Sequence, residues 1–221
     1  MNILSPSILA ADFTKLGEQI KQVEAGGAKY LHIDVMDGMF VPAISLGMCV
    51  LESIRKATNM IFDVHLMVTE PIRYVEEFAK LGADIITIHY EACTDVESTL
   101  NKIHECGCKA GISIKPGTQP NVLESFLGQV DLVLIMTVEP GFGGQKYIEA
   151  STDRIAQMRQ YITKSGRTVQ LEVDGGIRKD NVHVVLEAGA DVIVTGSAVF
   201  HGDITQNVKD FMHILMNESV K

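Results

Sequence analysis

Strand-like and helix-like segments alternate along the whole chain, and this alternation constrains its fold more than any other feature. Apolar runs occupy residues 3–8, 30–36, 60–67, 84–89, 109–114, 132–136, 169–173 and 192–195. Helical patterns follow them, with apolar residues at three-to-four spacing in 13–24, 73–81, 96–105, 148–163 and 182–187. Glycine marks the passage from helix to strand at Gly26-Gly27, Gly82, Gly107 and Gly189, where a left-handed cap can end each helix. The strand-like runs are nearly continuous in apolar character, as expected of parallel strands covered by helices. Eight such units in 221 residues leave little room for insertions. The pattern predicts a single (β/α)8 barrel domain over 1–221, with a doubly wound sheet as the alternative.

Polar residues fall at particular places in these runs. His32 and Asp34 are two residues apart in YLHIDVM, so in a strand they share a face. Burying both without partners would cost several kcal/mol. The run IFDVHLM supplies His65, and the seventh run leads to Asp174. Three runs therefore deliver two histidines and two aspartates, a shell suited to one divalent metal ion. Such mixed nitrogen and oxygen ligation fits Zn, Fe(II), Mn or Co. His32, Asp34, His65, Met67, Met136, Asp174 and Ser7 are all read as final residues of their strands, with Gly196 just beyond the eighth. Barrel enzymes carry their chemistry at that end. Met36 and Met67 each lie two residues past a candidate ligand. With Met136 they suggest a polarizable, water-excluding wall, the alternative being core filler.

Three glycine-rich loops follow the last strands: Gly141-Phe142-Gly143-Gly144, Gly175-Gly176 and Gly196-Ser197. Glycine lets backbone amides approach an anion, and a phosphate cradle after strands seven and eight is the usual barrel location. Neither a Walker A pattern nor G-x-G-x-x-G is present. A net charge of −9 argues against nucleic acid or an anionic membrane surface as partner. No apolar run approaches the roughly 18 residues of a membrane span. The start of the chain lacks signal-peptide character. A cytoplasmic protein is expected, with Cys49, Cys93, Cys106 and Cys108 as reduced thiols. His104, His183, His201 and His213 are read as surface residues, and His89 is left outside the ligand set. Asp37 reads as structural, and Asp63 as a partner supporting a ligand.

Five motifs, SPSILAADF at 5–13, HIDVMDG at 32–38, DVHLM at 63–67, MTVEPGFGGQ at 136–145 and EVDGGI at 172–177, together resemble the ribulose-phosphate 3-epimerase family. The resemblance covers essentially the whole chain. It implies a ribulose-phosphate-binding barrel with one divalent ion per subunit, which interconverts D-ribulose 5-phosphate and D-xylulose 5-phosphate. By that resemblance His32, Asp34, His65 and Asp174 hold the metal, and Asp34 and Asp174 are the acid/base pair. Ser7 and His65 would touch the sugar. Gly141, Phe142, Gly143, Gly144, Gly175, Gly176, Gly196 and Ser197 would surround the phosphate. A homo-oligomer is also implied.

The chemistry explains why two carboxylates and a cation belong together. Inverting C3 requires a proton to leave one face and another to arrive on the opposite face. A carboxylate is too weak a base for an α-proton by about ten pKa units, roughly 14 kcal/mol. A Lewis acid on the ketone oxygen closes that gap by stabilising a cis-enediolate. Met39 and Ala43 depart from the family pattern and keep a related ketose phosphate, such as D-allulose 6-phosphate, as an alternative substrate. An orotidine-phosphate decarboxylase would require a lysine where Met36 stands. A non-catalytic sugar-phosphate-binding barrel is the remaining alternative.

Overall fold

The computed structural model describes residues 2–218. Its strands are β1 (Ile3–Pro6), β2 (Tyr30–Met36), β3 (Ile61–Met67), β4 (Ile85–His89), β5 (Lys109–Ile114), β6 (Leu132–Met136), β7 (Gln170–Asp174) and β8 (Val192–Thr195). All pair in parallel, in the order β1-β8-β7-β6-β5-β4-β3-β2. A single bridge between Ser7 and His32 spans the remaining gap between β1 and β2, so the sheet is a nearly closed barrel. The doubly wound alternative is excluded, since its sheet has two free edges.

The helices are α1 (Leu16–Gly26), α2 (Met48–Arg55), α3 (Val75–Lys80), α4 (Val96–Glu105), α5 (Ser151–Ser165), α6 (Val182–Glu187), α7 (Ser197–Phe200) and α8 (Ile204–Glu218). Several boundaries differ from the sequence reading. The first strand stops at Pro6, because the Ser7 side chain accepts the amide of Leu9 and starts a 3-10 turn. Residues 13–15 form a second 3-10 turn, capped by Asp12, before α1 begins. The helix expected from 148 starts at Ser151, since the Ile148 amide donates to Thr137 at the end of β6. After β5 the chain makes only the 3-10 segment Pro120–Phe126. Pro116 and Pro120 deny that stretch two amide donors. No helix among the described residues is long and apolar enough to cross a membrane.

Strand alternation divides the apolar residues into two populations. Leu31, Ile33, Phe62, Val64, Ile86, Ile88, Ile112, Ile135, Val173 and Ile193 point outward and join the helices in the principal core. Tyr30, Ile85, Leu132, Leu134, Met136 and Val192 form a separate cluster inside the barrel. Both faces of each strand are thus buried, which is why the runs look uniformly apolar in sequence. Polar side chains interrupt the inward face at mid-height: Ser5, His32, Asp63, Thr87, Ser113 and Glu172 are all buried. His32 is the third of seven residues in β2, not one of its last. The expected placement at the strand end is therefore corrected for this residue. It sits one layer beneath the mouth.

Packing at mid-height leaves no slack beside β5. A Cβ on Gly111 would lie 2.1 Å from Thr87 Oγ1 and 2.9 Å from Thr87 Cβ. Gly111→Ala is expected to destabilise the fold by about 1–3 kcal/mol in urea unfolding. Adding Thr87→Ala should recover part of that loss, by removing the closer contact.

Candidate metal and sugar-phosphate site

One imidazole of the cluster is held by a carboxylate from the neighbouring strand. Asp63 Oδ2 accepts from His32 Nδ1 at 2.8 Å and from Ser5 Oγ at 2.9 Å. With Nδ1 donating to Asp63, Nε2 of His32 faces the mouth. That atom lies 3.2 Å from Asp34 Oδ1, but it is buried and makes no aligned hydrogen bond. Asp34 sits beside His65 in the β2–β3 register, and its Oδ1 is 3.0 Å from His65 Nδ1. The other oxygen, Oδ2, accepts from Ser7 Oγ at 2.5 Å. Asp174 ends β7 and completes the group.

One ligand atom from each of His32, Asp34, His65 and Asp174 lies within 4.8 Å of the others. A buried nitrogen without a partner, two imidazoles and two carboxylates aimed at one point fit a divalent cation. The electrostatics agree. Burial alone would raise Asp34, yet His32 and His65 hold its carboxyl well below the usual range. Burial, and then the negative Asp34, push Asp174 up to about 6. Burial disfavours charge on His32, but Asp34 and Asp63 keep its imidazole protonated well above the usual histidine range. The cluster thus recruits a positive charge at the very place where a cation would supply one. The Nε2 proton must leave before that nitrogen can be a ligand. Beneath, burial and Asp63 raise the Glu172 carboxyl well above the usual carboxyl range.

Above the cluster a cleft opens at the mouth of the barrel. Ser7, Asp34, Asp174, Met36, Met67 and Met136 line it, as do all three glycine-rich loops. His32 and His65 are fully buried and form its floor. The methionines are nearly buried too, and Met36 and Met67 pair in register across β2 and β3. Phe142 lines the cleft while its ring is largely exposed, placing it at the rim.

The loops pack on one another. A Cβ on Gly176 would lie 2.3 Å from the Tyr147 backbone nitrogen, and Gly176 also has φ +70°. Only glycine lets the turn after β7 nest against the loop after β6. Among the described residues, the amides of Gly144, Gly176, Gly196 and Ser197 donate to no backbone carbonyl outside regular structure.

Several residues stand apart from the cleft. His104, His183, His201 and His213 are exposed. Asp37 is structural, accepting the amides of Met39, Phe40 and Thr69. The four cysteines are free thiols. Met39 and Ala43, where the sequence departs from the family pattern, do not line the cleft. His89, by contrast, does join the site: it is fully buried, and its Nε2 is 2.9 Å from His65 Nε2. Its signal was legible, because His89-x-Glu91 repeats the spacing of His32-x-Asp34. Gln145 and Arg178 also line the cleft, but they lie on irregular loops where periodicity says nothing.

Comparison with known proteins agrees with this geometry. The profile of the ribulose-phosphate 3 epimerase family matches residues 3–200. Ribulose-phosphate 3-epimerase of Bacillus subtilis is 48% identical over 198 residues, covering 89% of this chain and 91% of that protein. The Escherichia coli protein of the same name is 43% identical over 211 residues, covering 95% and 94%. The solved structure of KGPDC from Streptococcus mutans superposes with a TM-score of 0.72 at 11% identity, covering 98% of each chain. That last likeness is one of fold alone.

Occupancy by a cation has a thermodynamic signature. Zn²⁺ at 100 times its Kd is expected to stabilise the protein by about 2.7 kcal/mol, a rise of roughly 5–10 °C in Tm. Asp174→Ala, at the half-buried edge of the cluster, should lose most of that rise in a thermal melt. A Tm indifferent to Zn²⁺ in the wild-type protein would contradict the cation site.

Proposed function

This chain belongs to the ribulose-phosphate 3-epimerase family and is an enzyme of that type, and from that premise we propose that it inverts C3 of D-ribulose 5-phosphate by two-carboxylate proton transfer. The observation that carries the reading is the convergence of Asp34 and Asp174. They arrive from β2 and β7, offer oxygens within 4.8 Å of the other ligand atoms, and both line the cleft. Two carboxylates from separate strands can serve the two faces of one carbon. Asp34 takes the C3 proton from one face. Asp174 returns one from the other face. The roles exchange in the reverse direction.

His32, Asp34, His65 and Asp174 are the proposed ligands of a single ion. A divalent cation there supplies Lewis-acid stabilisation of the charge that develops on the substrate's carbonyl oxygen. Zn, Fe(II), Mn and Co all suit this donor set. Ser7, whose hydroxyl now donates to Asp34, would turn to the sugar, and His65 would flank it. The amides of Gly143, Gly144, Gly175, Gly176, Gly196 and Ser197, with Gly141 and Phe142 at the rim, would hold the phosphate. This gives an acidic protein an anion site without a cluster of arginines. Met36, Met67 and Met136 would shield the reacting carbons from water. Free thiols and the absence of a membrane-crossing helix among the described residues are compatible with the expected cytoplasmic location. Self-association is implied by the family resemblance.

The test is ¹H NMR of ribulose 5-phosphate in D₂O with Co²⁺-loaded protein. Solvent deuterium should enter C3 as xylulose 5-phosphate accumulates, faster than allulose 6-phosphate exchanges. Asp34→Asn and Asp174→Asn should each slow exchange by about 10²–10⁴-fold. Full exchange in either variant would sink the two-carboxylate assignment. Replacing Met36, Met67 and Met136 together by leucine should slow turnover several-fold, and unchanged kinetics would remove their shielding role.

A further inference from the structure

The two candidate ligand imidazoles face the cluster with different nitrogens, His32 with Nε2 and His65 with Nδ1. Each must therefore be kept in a different tautomer. Asp63 does this for His32. The far nitrogen of His65 meets no carboxylate, but lies 2.9 Å from His89 Nε2. The two rings are stacked, with centroids 5.0 Å apart and planes at 29°. The opposite nitrogen of His89, Nδ1, lies 3.3 Å from Glu91 Oε2. Glu91 Oε1 in turn accepts the Lys115 amide at 2.8 Å and the Thr118 hydroxyl. The Phe40 ring closes over His89, with centroids 4.9 Å apart, and Lys115 Nζ caps that ring at 3.7 Å.

Proton counting orients the whole row. A nitrogen-to-nitrogen contact of this length needs one proton, not two and not none. An ionised carboxylate can only accept, so Glu91 draws the His89 proton onto Nδ1. His89 Nε2 is then a lone pair, and the shared proton must reside on His65 Nε2. That leaves Nδ1 of His65 directed at Asp34 and the convergence point, where the proton that ionised Asp34 attracts must leave before a cation binds. We propose that His89 and Glu91 are positioning residues that lock His65 in its Nε2–H form and present Nδ1 to the cation. The inference rests on the reading of His65 as a cation ligand. Neither residue touches the substrate in this reading. They act through His65.

Glu91→Gln tests it with a nearly isosteric change. The Gln oxygen stays where the Lys115 amide and the Thr118 hydroxyl both donate, so its NH₂ faces His89 Nδ1. A donor there forces His89 into the Nε2–H form, opposing two N–H groups unless His65 also turns over to Nδ1–H. Long-range ¹H–¹⁵N correlation spectra of metal-free protein at pH 8 should show a proton on His65 Nε2 in the wild type and a bare His65 Nε2 in the variant. Isothermal titration with Co²⁺ should show affinity falling on the order of 10–100-fold, with Tm near that of the wild type. Wild-type spectra with no proton on His65 Nε2 would overturn the proposal. So would a variant that keeps the wild-type tautomer and binds Co²⁺ within twofold. A wild-type protein that binds no Co²⁺ at all, while its tautomers are as described, would instead remove the cation reading on which the proposal stands.

Discussion

Burying ionisable groups inside a closed sheet is the constraint on which the rest of this structure depends. His32, Asp63 and Glu172 are wholly inaccessible, and Asp34 nearly so. An isolated charge in such surroundings would neutralise itself by shifting its pKa. The barrel instead couples the charges. His32 lies between Asp63 and Asp34, Glu172 is pushed well above the usual carboxyl range, and Asp174 is lifted towards neutrality. Removing one partner would leave the others unbalanced, so the polar layer behaves as a unit.

This layer also links fold to chemistry. Because the interior side chains alternate along each strand, one pleat separates the buried support from the reacting surface. Asp63 and His32 occupy the lower level, with Asp34 and His65 one step above. The supports are supplied by neighbouring strands in parallel register, where a shift of one residue would turn His65 outward into the helices. The glycine-rich loops are more independent. They are held by glycines that let backbones nest, as Gly176 does against Tyr147.

Much of this was legible in the chain itself. The βα alternation foretold the barrel, and seven of the eight strands begin and end within a residue of the expected positions. The convergence of His32, Asp34, His65 and Asp174 followed from i, i+2 spacing and the common end of the strands. Less legible were the local terminations. The 3-10 turns at Ser7 and Asp12, and the shortened start of α5, depend on single hydrogen bonds that leave no periodic trace. His32 read as a terminal residue although the expected run, 30–36, already made it third of seven, as β2 has it.

Sequence alone determined the class of fold, the residue types that meet at the mouth, and the glycine positions where backbones pack closely. These are set by spacing, composition and local conformational preference, which act within a few residues. Tertiary structure decided which nitrogen of each histidine faces the cluster, which carboxyl groups are pushed above their usual range, and that His89 and Glu91 stand behind His65. Those outcomes depend on distances between strands far apart in the chain, and on the low-dielectric interior their closure creates. Neither exists until the barrel has formed.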